Sequence, residues 1–171
     1  MLKGEDIVVL LKLAIDPADW TMRSLEDEIG ISRSVIQRAT VRLAQAGLLD
    51  PKRRHVNPAR AEEFLVHAVR YLFPPVLGGE TRGIPTAWAA PPLDAMLAQS
   101  SDLPPVWPDP RGRVRGVALQ PLHDSAAKIA RQDPALAEHL ALIDGLRLGD
   151  ARVRGLAVKL LGERLAAAVP T

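Results

Sequence analysis

The sequence predicts a mainly α-helical fold with one small β-hairpin close to the N-terminal end, followed by a helical, loop-rich remainder. Three observations carry this. Apolar residues recur at helical spacing in several separate segments. Capping residues, closing glycines and prolines punctuate those segments. Apolar residues make up 47% of the chain but aromatics only 4%, which suits helices packed by small aliphatic side chains better than a β-sandwich.

The first helix is predicted from Gly4 to about Asp16, with Ile7, Leu10, Leu11 and Ala14 forming its apolar stripe. Asp16-Pro17 ends it, and Trp20 falls in a short loop over the core. Ser24 is the predicted N-cap of a second helix, with Asp27 as its reciprocal partner. That helix runs to about Ile29, and Gly30 closes it because glycine tolerates the left-handed conformation found after helix ends. Ser32 caps a third helix, in which Ile36, Ala39, Leu43 and Ala46 face inward and which Gly47 ends. Residues 48–56 then predict a hairpin with a basic tip, Pro51 standing where a turn is wanted.

Asn57-Pro58 reads as cap and first turn of a helix reaching Phe73, with Phe64, Leu65, Ala68, Val69 and Leu72 on its apolar face. Residues 74–92 are rich in Pro and Gly and are expected to form an ordered loop lying on a surface, since Val76, Leu77, Ile84 and Trp88 are too apolar for a solvated linker. A short helix is expected over 93–99, a loop over 104–110 around Trp107, and a strand over 113–119. Helices are expected over 125–131, 134–148 and from Asp150 to about Ala168. The natural division is 1–73 and 74–171.

The 171-residue chain carries a formal charge of only +2, but its distribution is uneven. Residues 1–31 hold three cations and seven carboxylates, whereas residues 33–54 hold six cations and one carboxylate. Positive charge gathered on one short segment is what attraction to duplex phosphates requires. Two short helices joined by a Gly-containing turn are the usual frame for presenting a helix to the major groove.

The third helix opens with Ser32-Arg-Ser-Val-Ile-Gln-Arg and closes with Leu43-Ala-Gln-Ala-Gly-Leu-Leu. On these motifs residues 5–57 resemble the winged helix-turn-helix domain of bacterial transcriptional regulators of the MarR and Lrp type. The resemblance implies a dimer, a recognition helix in the major groove and a wing on the backbone or minor groove. The fold class becomes mainly α with a small β-wing: an N-terminal winged helix-turn-helix plus a helical, loop-rich C-terminal region.

With Ile36, Ala39 and Leu43 buried, the helical phase turns Arg33, Ser34, Val35, Gln37 and Arg38 outward as base readers. Arg can take guanine bidentately, Gln can take adenine, and Val can meet a thymine methyl. Arg42, further along, is expected on phosphate. Lys52, Arg53, Arg54 and His55 at the hairpin tip suit the backbone or a narrow minor groove. The expected function is a sequence-specific regulator acting as a homodimer on a pseudo-palindromic operator of double-stranded DNA. The dimer contact falls on the 58–73 helix or in the C-terminal part.

A second class remains open, in which residues 74–171 hold a protein partner, as in antitoxins and phage-defence regulators, or receive a small-molecule effector. Gly78-Gly79-Glu80-Thr81-Arg82-Gly83 is compatible with an anion nest but lacks the ending of a phosphate loop. Trp88 and Trp107 either line a pocket or pack the loop onto the core.

Catalysis is not expected. His67, His123 and His139 lack ligand spacing, and no Ser sits in a nucleophile elbow. No cofactor or metal is implied, and the absence of Cys excludes disulfides and thiolate sites. The apolar runs Ile7–Leu11 and Leu13–Ile15, split by Lys12, are too short for a signal or transmembrane segment, so the expected location is cytoplasmic, with no membrane partner.

Overall fold

The computed structural model describes residues 1–168, so positions 169–171 of the predicted C-terminal region lie outside the described residues. The chain is mostly helical, with a small three-stranded sheet inserted midway.

Helix α1 (Gly4–Ile15) is buried on every face rather than on one stripe: Ile7, Val8, Val9, Leu10, Leu11 and Leu13 are all inaccessible. A helix apolar all round belongs inside a protein, and α1 packs against α3 (Arg33–Gln45), α7 (Pro134–Leu148) and α8 (Ala151–Ala167). Helix α2 (Met22–Ile29) starts two residues before the predicted cap. Thr21 is the N-cap, its hydroxyl accepting from the Ser24 N–H at 3.0 Å, while Ser24 Oγ accepts from the Thr21 N–H at 2.9 Å. Ser24 is thus the reciprocal partner, the role expected of Asp27. Gly30 closes α2 with φ +69°, where a Cβ would strain the backbone.

The predicted hairpin of residues 48–56 shrinks to a single bridge between Leu49 and Val56, because a tight turn at 50–54 leaves no length for further ladder bonds. Helix α4 (Pro58–His67) begins as expected, with Asn57 Oδ1 accepting from the Arg60 N–H at 3.1 Å. It does not continue to Phe73. The chain breaks at Ala68 and resumes as one turn, α5 (Val69–Leu72).

The largest departure lies in the Pro/Gly-rich stretch. The expected loop over 74–92 contains strand β1 (Leu77–Pro85), and the expected loop over 104–110 contains β2 (Pro105–Pro108). The expected helix over 93–99 is only a 3-10 turn, Leu93–Ala95. Strand β3 (Val114–Leu119) lies where the alternation placed it. Each strand pairs with both others. β1 runs antiparallel to β3 through Arg82–Arg115 and Gly83–Val114, and antiparallel to β2 through Gly83–Pro108 and Ile84–Trp107. β2 and β3 are parallel through Pro105–Val117 and Val106–Ala118, which closes a three-strand ring. Gly83 sits where β1 meets both neighbours, and a Cβ there would overlap the Trp107 carbonyl. The prolines occupy strand ends, where a missing donor costs no central ladder bond.

The helices after the sheet, α6 (Ala126–Gln132), α7 and α8, follow the expected spans. Helix α7 is the axis of the molecule, with Leu136, Leu140, Leu142, Ile143 and Leu146 buried. It also carries a buried polar junction. Asp144 Oδ2 accepts from Thr86 Oγ1 and Trp107 Nε1, both at 2.7 Å, and Asp144 Oδ1 accepts from the Arg147 guanidinium at 2.7 Å. Arg147 Nε in turn donates to the Phe73 carbonyl at 2.8 Å. Burial pushes the Asp144 carboxyl above its ordinary range, and the guanidinium and the two other donors pull against it. Trp107 is therefore a structural residue of the sheet-to-helix joint.

The expected division at residue 73 does not separate two cores. One contiguous cluster joins Ile7, Ile36 and Leu65 to Trp107, Leu140 and Leu161. Lys12 reinforces the junction: its ammonium lies 2.8 Å from both Glu28 of α2 and Asp133, the N-cap of α7. Burial alone would lower the Lys12 pKa, but hydrogen bonds to Asp133 and Glu28 outweigh it and the pKa is raised. No helix among the described residues is long and apolar enough to cross a membrane.

Candidate nucleic-acid interface

The turn closed by Gly30 sets the angle between α2 and α3. Ser32 stands at the α3 N-cap position, but its hydroxyl meets Ser34 Oγ at 3.3 Å instead of a backbone N–H. The first free N–H of the helix, that of Arg33, is taken by Glu26 Oε1 at 3.3 Å. The inner face of α3 is Ile36, Ala39, Thr40 and Leu43, all buried against α1 and α2. Ser34, Gln37, Arg38, Val41 and Gln45 are exposed, and their spacing places them along the opposite, outer face.

Not every expected base reader lies free on that face. Val35 is half-buried and packs against the core, its position next to Ile36 setting it on the flank of the buried face. Val41 takes its place as the apolar side chain on the outer face, 46% exposed. The sequence signal for Val41 is the i, i+3, i+4, i+7 series that runs from Ser34 past the N-terminal end of the helix. Arg33 is exposed but holds Glu26 Oε2 at 2.9 Å. Arg38, Gln37 and Ser34 lie outward as expected, and Arg38 has no ion pair among the described residues.

Arg42 is a correction. Its guanidinium forms a two-pronged pair with Asp6, Nε to Oδ2 at 2.7 Å and Nη2 to Oδ1 at 2.6 Å, with Glu5 at 3.5 Å. Asp6 is wholly buried and already accepts the Lys3 N–H at 2.9 Å. A buried carboxylate needs a cation, and α3 supplies it from the side that helical phase alone assigned to phosphate. Arg42 is an internal strut between α1 and α3.

The basic turn after α3 is held by side-chain and backbone hydrogen bonds despite its short ladder. Asp50 Oδ1 accepts from the N–H groups of Lys52 at 2.8 Å and Arg53 at 3.1 Å, and these bonds hold the Asp50 carboxyl below its ordinary pKa. Arg54 adopts a positive φ of 59°. Its guanidinium stacks 3.9 Å from the Trp20 ring centroid and donates to the Trp20 carbonyl at 2.7 Å, while Trp20 Nε1 donates to the Arg54 carbonyl at 3.2 Å. Arg54 therefore anchors the turn to the loop after α1, a second departure from the expected role. Lys52, Arg53 and His55 are exposed, and neither Lys52 nor Arg53 has an ion pair among the described residues.

Of the six cations in residues 33–54, the carboxylates of the N-terminal segment neutralise Arg33 and Arg42, and Trp20 occupies Arg54. Arg38, Lys52 and Arg53 remain as positive charge without such a partner, and Arg54, though stacked on Trp20, stays exposed and charged. Among the described residues there is no group of His, Asp and Glu able to hold a metal ion. Comparison with known proteins yields no matching family model, no matching curated protein and no matching solved structure.

Proposed function

We propose that this chain is a sequence-specific DNA-binding transcriptional regulator of winged helix-turn-helix type, acting as a homodimer on a pseudo-palindromic operator. The observation that carries the reading is the outer face of α3. Ser34, Gln37, Arg38 and Val41 form an exposed row with a guanidinium, an amide, a hydroxyl and an apolar group, while the opposite face is locked into the core. These are the groups that read guanine, adenine and the thymine methyl in a major groove. Lys52 and Arg53, free cations on the turn that follows α3, supply the phosphate contacts that position such a helix without reading sequence.

The homodimer reading draws on a second surface. Tyr71, Leu72, Val76 and Leu77 are 48–71% exposed and lie within seven positions where α5 leads into β1. Exposed apolar side chains close together in the chain are what a contact site would use, and a two-fold operator is matched by a two-fold protein. The competing reading, a regulator that also masks a protein partner, uses the same surface for a different chain.

Selection of bound sequences from a pool of random duplexes tests the proposal. The expected result is an enriched inverted repeat with half-sites about one helical turn apart. A pool that returns no enriched motif, or a motif without repeat symmetry, rejects it.

A further inference from the structure

Arg82 of β1 and Arg115 of β3 stand directly opposite one another in the antiparallel register. Side chains alternate along a strand, so directly opposed residues share one face of the sheet. Arg113 enters β3 two positions before Arg115, about 7 Å away along an extended backbone, and Arg111 lies in the turn between β2 and β3. All four arginines are exposed.

Like charges placed opposite each other weaken a strand pair, and the protein does little to relieve this. Glu80 bonds only Arg115, Oε2 lying 3.1 Å from Nη2 and 3.2 Å from Nε. Asp109, the carboxylate beside the turn, is taken by Arg131. Arg82, Arg111 and Arg113 make no ion pair among the described residues. The ring of strands is held by backbone pairing and by the Asp144 junction, neither of which uses these arginines.

We infer that this arginine face of the small sheet is a second phosphate-binding surface that takes the backbone of double-stranded DNA, outside the contact made by α3. Guanidinium forks match phosphate oxygens bidentately. The cluster offers no aromatic side chain on which to stack an unpaired base: Trp107 is buried in the Asp144 junction. Backbone contact without base readout is what such a surface provides. The inference rests on the DNA-binding reading above, and adds that the sheet, not only the helical part, grips the duplex.

The test is fluorescence-anisotropy titration of full-length wild type, an Arg82→Ser/Arg113→Ser/Arg115→Ser variant and an Arg38→Ala variant, on an operator duplex, on a scrambled duplex and on labelled polyglutamate, across a salt series. The expected result for the triple variant is a similar loss of affinity for both duplexes and a log–log salt slope shallower by about 2–3. Operator preference should be unchanged, and the melting temperature equal to or above that of wild type, since charge repulsion is removed. Wild-type affinity and slope in the triple variant overturn the inference, even when Arg38→Ala abolishes operator preference. A silent Arg38→Ala with a weakened triple variant instead overturns the α3 reading and leaves the arginine face standing. Loss of polyglutamate binding with duplex affinity untouched reassigns the face to an acidic protein and overturns the inference. Failure of wild type to bind either duplex overturns both.

Discussion

Arg42 and Asp6 are 36 positions apart and share two hydrogen bonds of 2.6 and 2.7 Å, which lock the candidate DNA-facing helix to the N-terminal helix at a fixed angle. Asp6 is fully buried, so its carboxylate depends on this partner. Removing one member of a buried pair costs roughly 3–5 kcal/mol, whereas replacing both by apolar groups is often near neutral. Arg42→Ala is expected to destabilise the protein by that amount, the Asp6→Leu/Arg42→Leu double variant by clearly less. Urea unfolding of the three proteins checks this. A loss below about 1 kcal/mol in Arg42→Ala would show that water or Lys3 already compensates Asp6.

In the DNA-binding reading, base-reading and positioning groups should separate in binding assays. Arg38→Ala should weaken operator binding by about 1–3 kcal/mol and relax preference at one base pair, since a bidentate base contact is lost. Lys52→Ala should weaken all duplexes alike and reduce the salt slope by about 1. Gel-shift titrations on matched and mismatched duplexes measure both. If Lys52→Ala altered base preference, the turn would be reading sequence and the assigned roles would be reversed.

His139 makes stability pH-dependent. It is buried on α7, its Nδ1 pairs with the Ala135 carbonyl at 2.7 Å, and its Nε2 has no partner among the described residues. That contact places a proton on Nδ1, and burial opposes a second proton on Nε2. Burial lowers the His139 pKa, with Arg164 adding to the effect, against the Ala135 carbonyl and the carboxylates of Glu138 and Asp133. The unfolded chain, titrating near 6.5, binds a proton that the folded protein refuses. Stability is then full above about pH 6.5 and declines as the pH falls below it. Melting curves between pH 7.5 and 5 should show this decline, and His139→Gln should flatten it. An unchanged slope in His139→Gln would place the dependence on another group.

The Asp144 junction ties the sheet to α7. Thr86→Val removes one donor to a buried carboxylate while keeping the side-chain shape, and should cost about 1.5–3 kcal/mol. Chemical denaturation gives the value. Because Arg147 and Trp107 still hold Asp144, the variant should keep a native fold, checked by near-ultraviolet circular dichroism. A neutral outcome would mean that the other two donors satisfy the carboxylate alone.

The apolar surface at the end of α5 sets the oligomeric state in the homodimer reading. Tyr71→Ser/Leu72→Ser should shift the protein from dimer to monomer in sedimentation velocity. It should also lower operator affinity without changing the salt slope of half-site binding. A wild-type monomer at micromolar concentration would remove the surface from the dimer argument.

What the amino-acid sequence determined by itself was local. The starts of α3, α4, α7 and α8, the ends of α3, α7 and α8, and the closure at Gly30, follow from caps, prolines and a 3.6-residue period confined to neighbouring positions. The exposure of Ser34, Gln37 and Arg38 follows from the same period. The tertiary structure decided whatever depends on a distant partner. β1 and β2 hide in Pro/Gly-rich stretches because a strand is stabilised by pairing, here Ile84 with Trp107, and no local pattern announces a partner more than twenty residues away. Trp107 is a core residue only because Asp144 reaches it. Arg42 is drawn off the expected DNA surface by Asp6, and Arg54 is stacked on Trp20, because these partners, remote in the chain, are near in space. A side chain's direction is a property of its helix, but the charge it answers is a property of the whole fold.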